Sequence, residues 1–151
     1  MKKFIFFIGL VLGIWIYNNP IGKIGMSKPN FIVYSGMPSS IPILFHYKAI
    51  FPSYQDKLIN KDGELRINDA ISQTFVDRLG TIGGFEYVVV GLGYGDNLYT
   101  ISDKLENRIS SYTVFRGSTP KMVRKYNKLK SEGKKVLGIM VPNIKTEKLR
   151  Y

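Results

Sequence analysis

The sequence predicts an α/β (or α+β) fold, a small mixed sheet with packed helices, preceded by an N-terminal hydrophobic helix. Three observations predict it. Glu86–Leu92 (EYVVVGL) is a mostly apolar run of strand length, and Val136–Val141 is nearly all apolar, the pattern of a strand covered on both faces. From Tyr112 to Val141 a strand, a helix and a strand follow one another within 30 residues, the size of a βαβ unit. Hydrophobic residues make up 44% and aromatics 13% of a 151-residue chain, enough to bury the core of one domain.

In chain order, Lys2 and Lys3 precede the apolar run Phe4–Tyr17, which Asn18, Asn19 and Pro20 close. This is the layout of a signal sequence. Residues 1–20 therefore read as a signal anchor or signal peptide. As a helix, residues 4–17 cover about 21 Å, short of a roughly 30 Å hydrocarbon core, with the lysines and the Trp15/Tyr17 pair to make up the difference. The best cleavage pair is Gly25 and Ser27. Residues 21–30 (IGKIGMSKPN) read as a tether, and residues 31–151 as a single α/β domain with a basic C-terminal helix and tail. A short N-terminal tail stays cytoplasmic by default, so the expected address is membrane-anchored with an extracytoplasmic domain, or secreted or periplasmic after cleavage.

Phe31–Tyr34 and Ile43–Tyr47 are expected strands, separated by the turn-prone residues 35–40. Asn60-Lys61-Asp62-Gly63 reads as a loop. Asn68 or Asp69 then caps a helix with Ile71, Phe75, Val76 and Leu79 inside and Gly80 as the stop. Ser102 caps a short helix carrying Leu105 and Ile109 on one face, and Tyr112–Arg116 is a strand. Thr119 and Pro120 form an N-cap and N1 pair for a helix with Met122, Val123, Tyr126 and Leu129 inside and Gly133 as its stop. Residues 86–102 support two readings, a strand leading to a helix or a hairpin turning at Gly93–Asn97.

Composition excludes several chemistries. There is no Cys, hence no disulfide framework, thiolate nucleophile or Cys-ligated metal, and a single His rules out a multi-histidine metal site. No metal and no cofactor are expected. Gly91-x-Gly93-x-Gly95, with Arg116-Gly117-Ser118-Thr119 after the next strand, invites comparison with a dinucleotide-binding loop. Its third glycine comes one residue early and Asp96 follows, so a glycine-rich turn is the plainer reading.

The weak catalytic candidates are Ser35, His46 and Lys48. Ser35-Gly36-Met37-Pro38-Ser39 resembles the serine box of type I signal peptidases, in which Ser directly precedes Met and Pro follows one residue later. Here Ser35 stands one residue too far from Met37, and Pro38 adjoins it. Val76–Gly80 resembles the stretch that carries that family's lysine base, with Asp77 in its place, leaving Lys48 as the nearby substitute. The resemblance implies a Ser–Lys pair; the alternative function is an envelope hydrolase built from Ser35 or Ser39, His46 and Lys48. Strand alternation places His46 on the face opposite Phe45 and Tyr47. Asp62, Glu64, Asp69, Asp77 and Glu86 offer carboxylates, most simply caps and solvated positions.

The strongest signal is electrostatic. The net charge of +11 divides into +4 over residues 1–30, +1 over 31–60, −2 over 61–90, −1 over 91–115 and +9 over 116–151. The anion-binding candidates are Lys121, Arg124, Lys125, Lys128, Lys134 and Lys135, extended by Lys130, Lys145, Lys148 and Arg150. The expected function is a binding or accessory role at the cell envelope rather than catalysis. The expected partners are the membrane, through residues 4–17, and anionic lipid, cell-wall phosphate or acidic protein through the basic helix. Nucleic acid is disfavoured because no aromatics interleave the cations for stacking, and would require a cytoplasmic domain.

Overall fold

The computed structural model describes residues 2–54, 64–65 and 84–145. The expected loop at 60–63, the helix from Asn68 or Asp69 to Gly80, and the tail cations Lys148 and Arg150 lie outside them.

The apolar run forms helix α1 (Lys2–Asn18). Its 17 residues rise about 25 Å. No helix among the described residues is long and apolar enough to cross a membrane. That corrects the expected membrane anchor, on which the membrane-anchored localisation rested. The stretch read as a tether is instead built into the fold. Residues Ile24–Lys28 form β1, Phe31–Tyr34 β2 and Met37–Ser39 β3, an antiparallel meander in that order. Cleavage after Ser27 would cut inside β1. The β2–β3 turn is Ser35-Gly36, with φ of 51° and 79°. Two successive positive φ values are what a two-residue hairpin turn requires. The turn-prone stretch 35–40 therefore holds a strand as well as a turn.

A five-stranded sheet forms the centre. Its order is β5 (Ser53–Tyr54), β4 (Ile43–His46), β10 (Val136–Ile144), β7 (Tyr87–Tyr94), β9 (Thr113–Gly117). Strand β10 runs antiparallel to β4 and parallel to β7, and β7 runs parallel to β9. The mixed α/β fold is thus as predicted. Two short strands, β6 (Glu64–Leu65) and β8 (Thr100–Ile101), pair separately in parallel. This resolves the two readings of residues 86–102. Tyr99 N–H donates to the Leu92 carbonyl (2.9 Å), so the chain does reverse, but β8 pairs with β6 and no β7–β8 ladder forms.

Period-2 alternation splits the core into two layers. On one face Val88, Val90, Leu92, Leu137, Ile139 and Val141 pack beneath helix α2 (Asp103–Ile109) through Leu105 and Ile109. On the other, Val89, Val136, Met140 and Phe45 meet helix α3 (Thr119–Ser131) and the meander through Met122, Tyr126, Leu129, Ile32 and Tyr34. Phe45 stacks on Tyr34 (centroids 4.3 Å) and meets Tyr126 edge-on (4.8 Å). A Cβ on Gly138 would lie 2.2 Å from the Phe45 ring, so β10 carries no side chain there.

Helix α2 is capped by Ser102, as predicted, with the hydroxyl accepting from Leu105 N–H (3.4 Å). For α3 the expected cap shifts by one residue. Ser118 is the N-cap, without a side-chain hydrogen bond. The Thr119 hydroxyl is committed elsewhere, donating to the Val141 carbonyl (2.6 Å) and accepting from Gly93 N–H (2.9 Å). Gly133 (φ 72°) ends α3 as expected, its N–H donating to the Lys130 carbonyl (3.1 Å).

Candidate functional site

Helix α3 presents its apolar residues to the sheet, so its cations emerge on the remaining arc. Lys121, Arg124 and Lys128 are exposed. Spaced i, i+3 and i+7, they form one stripe about 10 Å long. The first turn of α3 contains no acidic residue, so the positive end of the helix dipole lies beside Lys121 unneutralised. Among the described residues the ion pair found is Arg116 with Glu106, joined by two 2.7 Å hydrogen bonds, and no carboxylate pairs with the stripe.

The other expected anion-binding residues divide. Lys125 is half-buried, with Nζ 3.9 Å from the Phe115 ring centroid, a cation–π contact that ties it to β9. Lys134 and Lys135 are exposed beyond the end of α3, on the approach to β10. Lys130 turns the other way and donates to the Tyr47 carbonyl. The helix itself is fixed by Asn127, whose side chain donates to the Ile24 carbonyl (2.7 Å) and accepts from Ile24 N–H (3.0 Å). The Tyr126 hydroxyl adds a bond to the Gly22 carbonyl (3.3 Å). Asn127 carries no sequence signal for this role, since its partner lies in the supposed tether.

The catalytic candidates do not assemble into a recognisable dyad. Ser35 lies in the β2–β3 turn, where its hydroxyl accepts from Gly22 N–H (2.8 Å). His46 closes β4, buried, its Nδ1 accepting from the Lys48 backbone N–H (3.1 Å). No described hydroxyl or carboxylate bonds to its Nε2. Burial, then the charges of Lys48 and Lys130, hold the imidazole below its ordinary pKa. Lys48 is beside His46 in the same turn, its Nζ 5.6 Å from the Tyr47 ring centroid. The alternative Ser39 is buried and exchanges hydrogen bonds with Ile41. No group of three or more His, Cys, Asp or Glu suited to a metal exists among the described residues.

The glycine run is structural. No helix follows β7 directly, because α2 begins only at Asp103. A Cβ on Gly91 would come within 2.9 Å of the Thr119 hydroxyl, so this glycine admits α3 to the sheet rather than a pyrophosphate. Arg116, which opens the second stretch of that comparison, is held by Glu106.

No protein-family model matches the chain, and no curated protein matches it by sequence. Solved structures do match its fold. A protein of Rhodopseudomonas palustris, solved by NMR, superposes with a TM-score of 0.61 at 16% identity, covering 88% of this chain and 91% of its own. A Bordetella pertussis protein described as a Mth938-like domain gives 0.58 at 16% identity, over 83% of this chain and 89% of its own. A conserved hypothetical protein of Pyrococcus horikoshii OT3 gives 0.57 at 16% identity, over 81% and 99%. At these identities the likeness establishes the fold alone: the chain is an α/β domain similar in architecture to Mth938-like domains.

Proposed function

We propose that this protein is a binding module that contacts a polyanionic partner through the outer face of α3, with Lys121, Arg124 and Lys128 as the primary contacts and Lys134 and Lys135 flanking them. The observation that carries this reading is the unneutralised stripe itself: three exposed cations on one rigid helix, beside an uncapped helix N-terminus, with no described carboxylate opposing them. Because the inner face of the helix is fully engaged, its backbone keeps the spacing of the three charges fixed, which favours a partner with closely spaced negative groups. A hydrolytic role finds less support, because Ser35 and His46 each spend their acceptor atom on a backbone N–H.

The test is salt-dependent retention of the full chain on a heparin column as a generic polyanion. Replacing the stripe by K121Q/R124Q/K128Q is expected to lower the eluting salt concentration well below that of a charge-matched K28Q/K104Q/R108Q control. Equal retention of the two variants would show that net charge alone governs binding and would remove the assigned face.

A further inference from the structure

Several donors lie on and beside the turn after β4, apart from the α3 stripe. The turn His46–Ala49 is closed by Ala49 N–H donating to the His46 carbonyl (2.7 Å), and is pinned from the meander by the Tyr34 hydroxyl donating to the Ala49 carbonyl (2.6 Å). Within it the Lys48 N–H occupies Nδ1 of His46 (3.1 Å). An imidazole whose Nδ1 accepts carries its proton on Nε2 when neutral. That Nε2–H is buried, on a residue only 7% exposed, and has no acceptor. A buried donor left unmatched in a native fold calls for a missing water or ion.

Cations surround the same turn. Lys48 Nζ lies 5.6 Å and Lys130 Nζ 5.8 Å from the Tyr47 ring centroid, and Lys130 reaches from α3 to the Tyr47 carbonyl. Lys23 follows on the α3 side, its Nζ donating to the Ser131 hydroxyl (2.8 Å). Burial, followed by the charge of Lys23, holds Lys130 below the usual lysine pKa, so these groups sense one another. Among the described residues no carboxylate pairs with Lys23, Lys48 or Lys130. Like charges gathered without a carboxylate, beside a buried donor without an acceptor, are unfavourable for the free protein and are relieved together by one anion.

We propose that the His46–Ala49 turn, together with Lys130, is a binding site for a compact oxyanion of the phosphate class, with Nε2–H of His46 and the ammonium groups of Lys48 and Lys130 as its donors. Phosphate fits because its several acceptor oxygens meet donors arriving from a strand end, a turn and a helix at once. The site shares no residue with the α3 stripe, so each stands or falls separately.

The chain contains one His, so its imidazole gives a single set of NMR resonances. The experiment is a titration of the full chain at constant ionic strength with inorganic phosphate and then with glycerol 3-phosphate, following the His46 ring nitrogens. Expected is a saturable shift of Nε2 that chloride does not reproduce. K48Q and K130Q should each weaken it by about tenfold, the loss of one charge-assisted hydrogen bond, while K121Q/R124Q/K128Q leaves it unchanged. Saturation by phosphate alone identifies the free ion as ligand, and saturation by both identifies the phosphoryl group of a larger molecule. A ring resonance that stays fixed, tracks chloride equally, or saturates identically in both lysine variants overturns the proposal.

Discussion

Thr119 shows how much one side chain decides. The β7–β10 ladder shifts register between Val141 and Ile144, and at that break the Thr119 hydroxyl links Gly93 N–H to the Val141 carbonyl. It replaces a missing ladder bond and fixes the start of α3 at the same point. Thr119→Val keeps the shape but strands two buried backbone groups, each costing about 1–3 kcal/mol. Chemical denaturation should show that loss in Thr119→Val and little of it in Thr119→Ser, which retains the hydroxyl. The sequence pointed to Thr119 as a cap because threonine before proline is a good helix start. It could not show that a strand bulge twenty-two positions later would claim the same oxygen.

His46 gives a second prediction at this scale. The unfolded imidazole titrates near about 6.5, whereas the folded one, held neutral by burial and by Lys48 and Lys130, titrates lower. Between those two values the unfolded state binds more protons, so unfolding free energy rises with pH through that window and is level above it as far as this group is concerned. Tm measured downward from pH 7.5 should therefore begin to fall below about pH 6.5. In His46→Gln that part of the decline should vanish.

At the scale of elements, burial outweighs surface charge. Among the contacts of helix α2 are the exposed Arg116–Glu106 pair and the packing of Leu105 and Ile109 on the sheet. The pair is solvated on both sides, which limits it to below about 1 kcal/mol despite its bidentate geometry. Leu105 is fully buried, and its truncation to Ala should cost about 2–5 kcal/mol. Glu106→Gln and Leu105→Ala, compared by urea denaturation, should differ accordingly.

The elements most legible in the sequence were those whose pattern is carried by local apolar runs and helical period. Strands β7, β9 and β10, the inner face of α3 and its Gly133 stop all appear where apolar runs, period and turn residues place them. Strands β1 and β3 were hidden. Their residues (IGMSK and MPS) are small or polar and gain their place from pairing with β2, a long-range property that local composition does not carry. Helix α1 was legible as a helix of about its observed length, yet its setting departs from the expected membrane anchor. Its C-terminal end is joined to the meander, with Asn19 buried and Trp15 Nε1 within 3.1 Å of where a Gly36 Cβ would stand.

For the whole molecule, the net charge of +11 has little meaning until the fold sorts it. Lys125 is spent on Phe115, Arg116 on Glu106, and Lys130 on the Tyr47 turn. What remains outward on α3 is Lys121, Arg124 and Lys128. The sequence identified the basic segment, because excess charge is additive along a chain. It did not separate the free cations from the committed ones, since that depends on which side chains of β4 and β9 lie opposite. The two-layer core holds the stripe rigid from beneath, with α3 fastened to the sheet by Tyr126 and Leu129 and to β1 by Asn127.

The proposed contact with polyanions belongs to this face rather than to the overall charge. Backbone amide shift mapping of the full chain with a heparin oligosaccharide tests it most directly. Saturable perturbations are expected on the α3 backbone from Ser118 to Lys128 and on Lys134 and Lys135, with α2 and β9 unmoved. Perturbations spread over every exposed lysine, or centred on α2 with α3 silent, would contradict it.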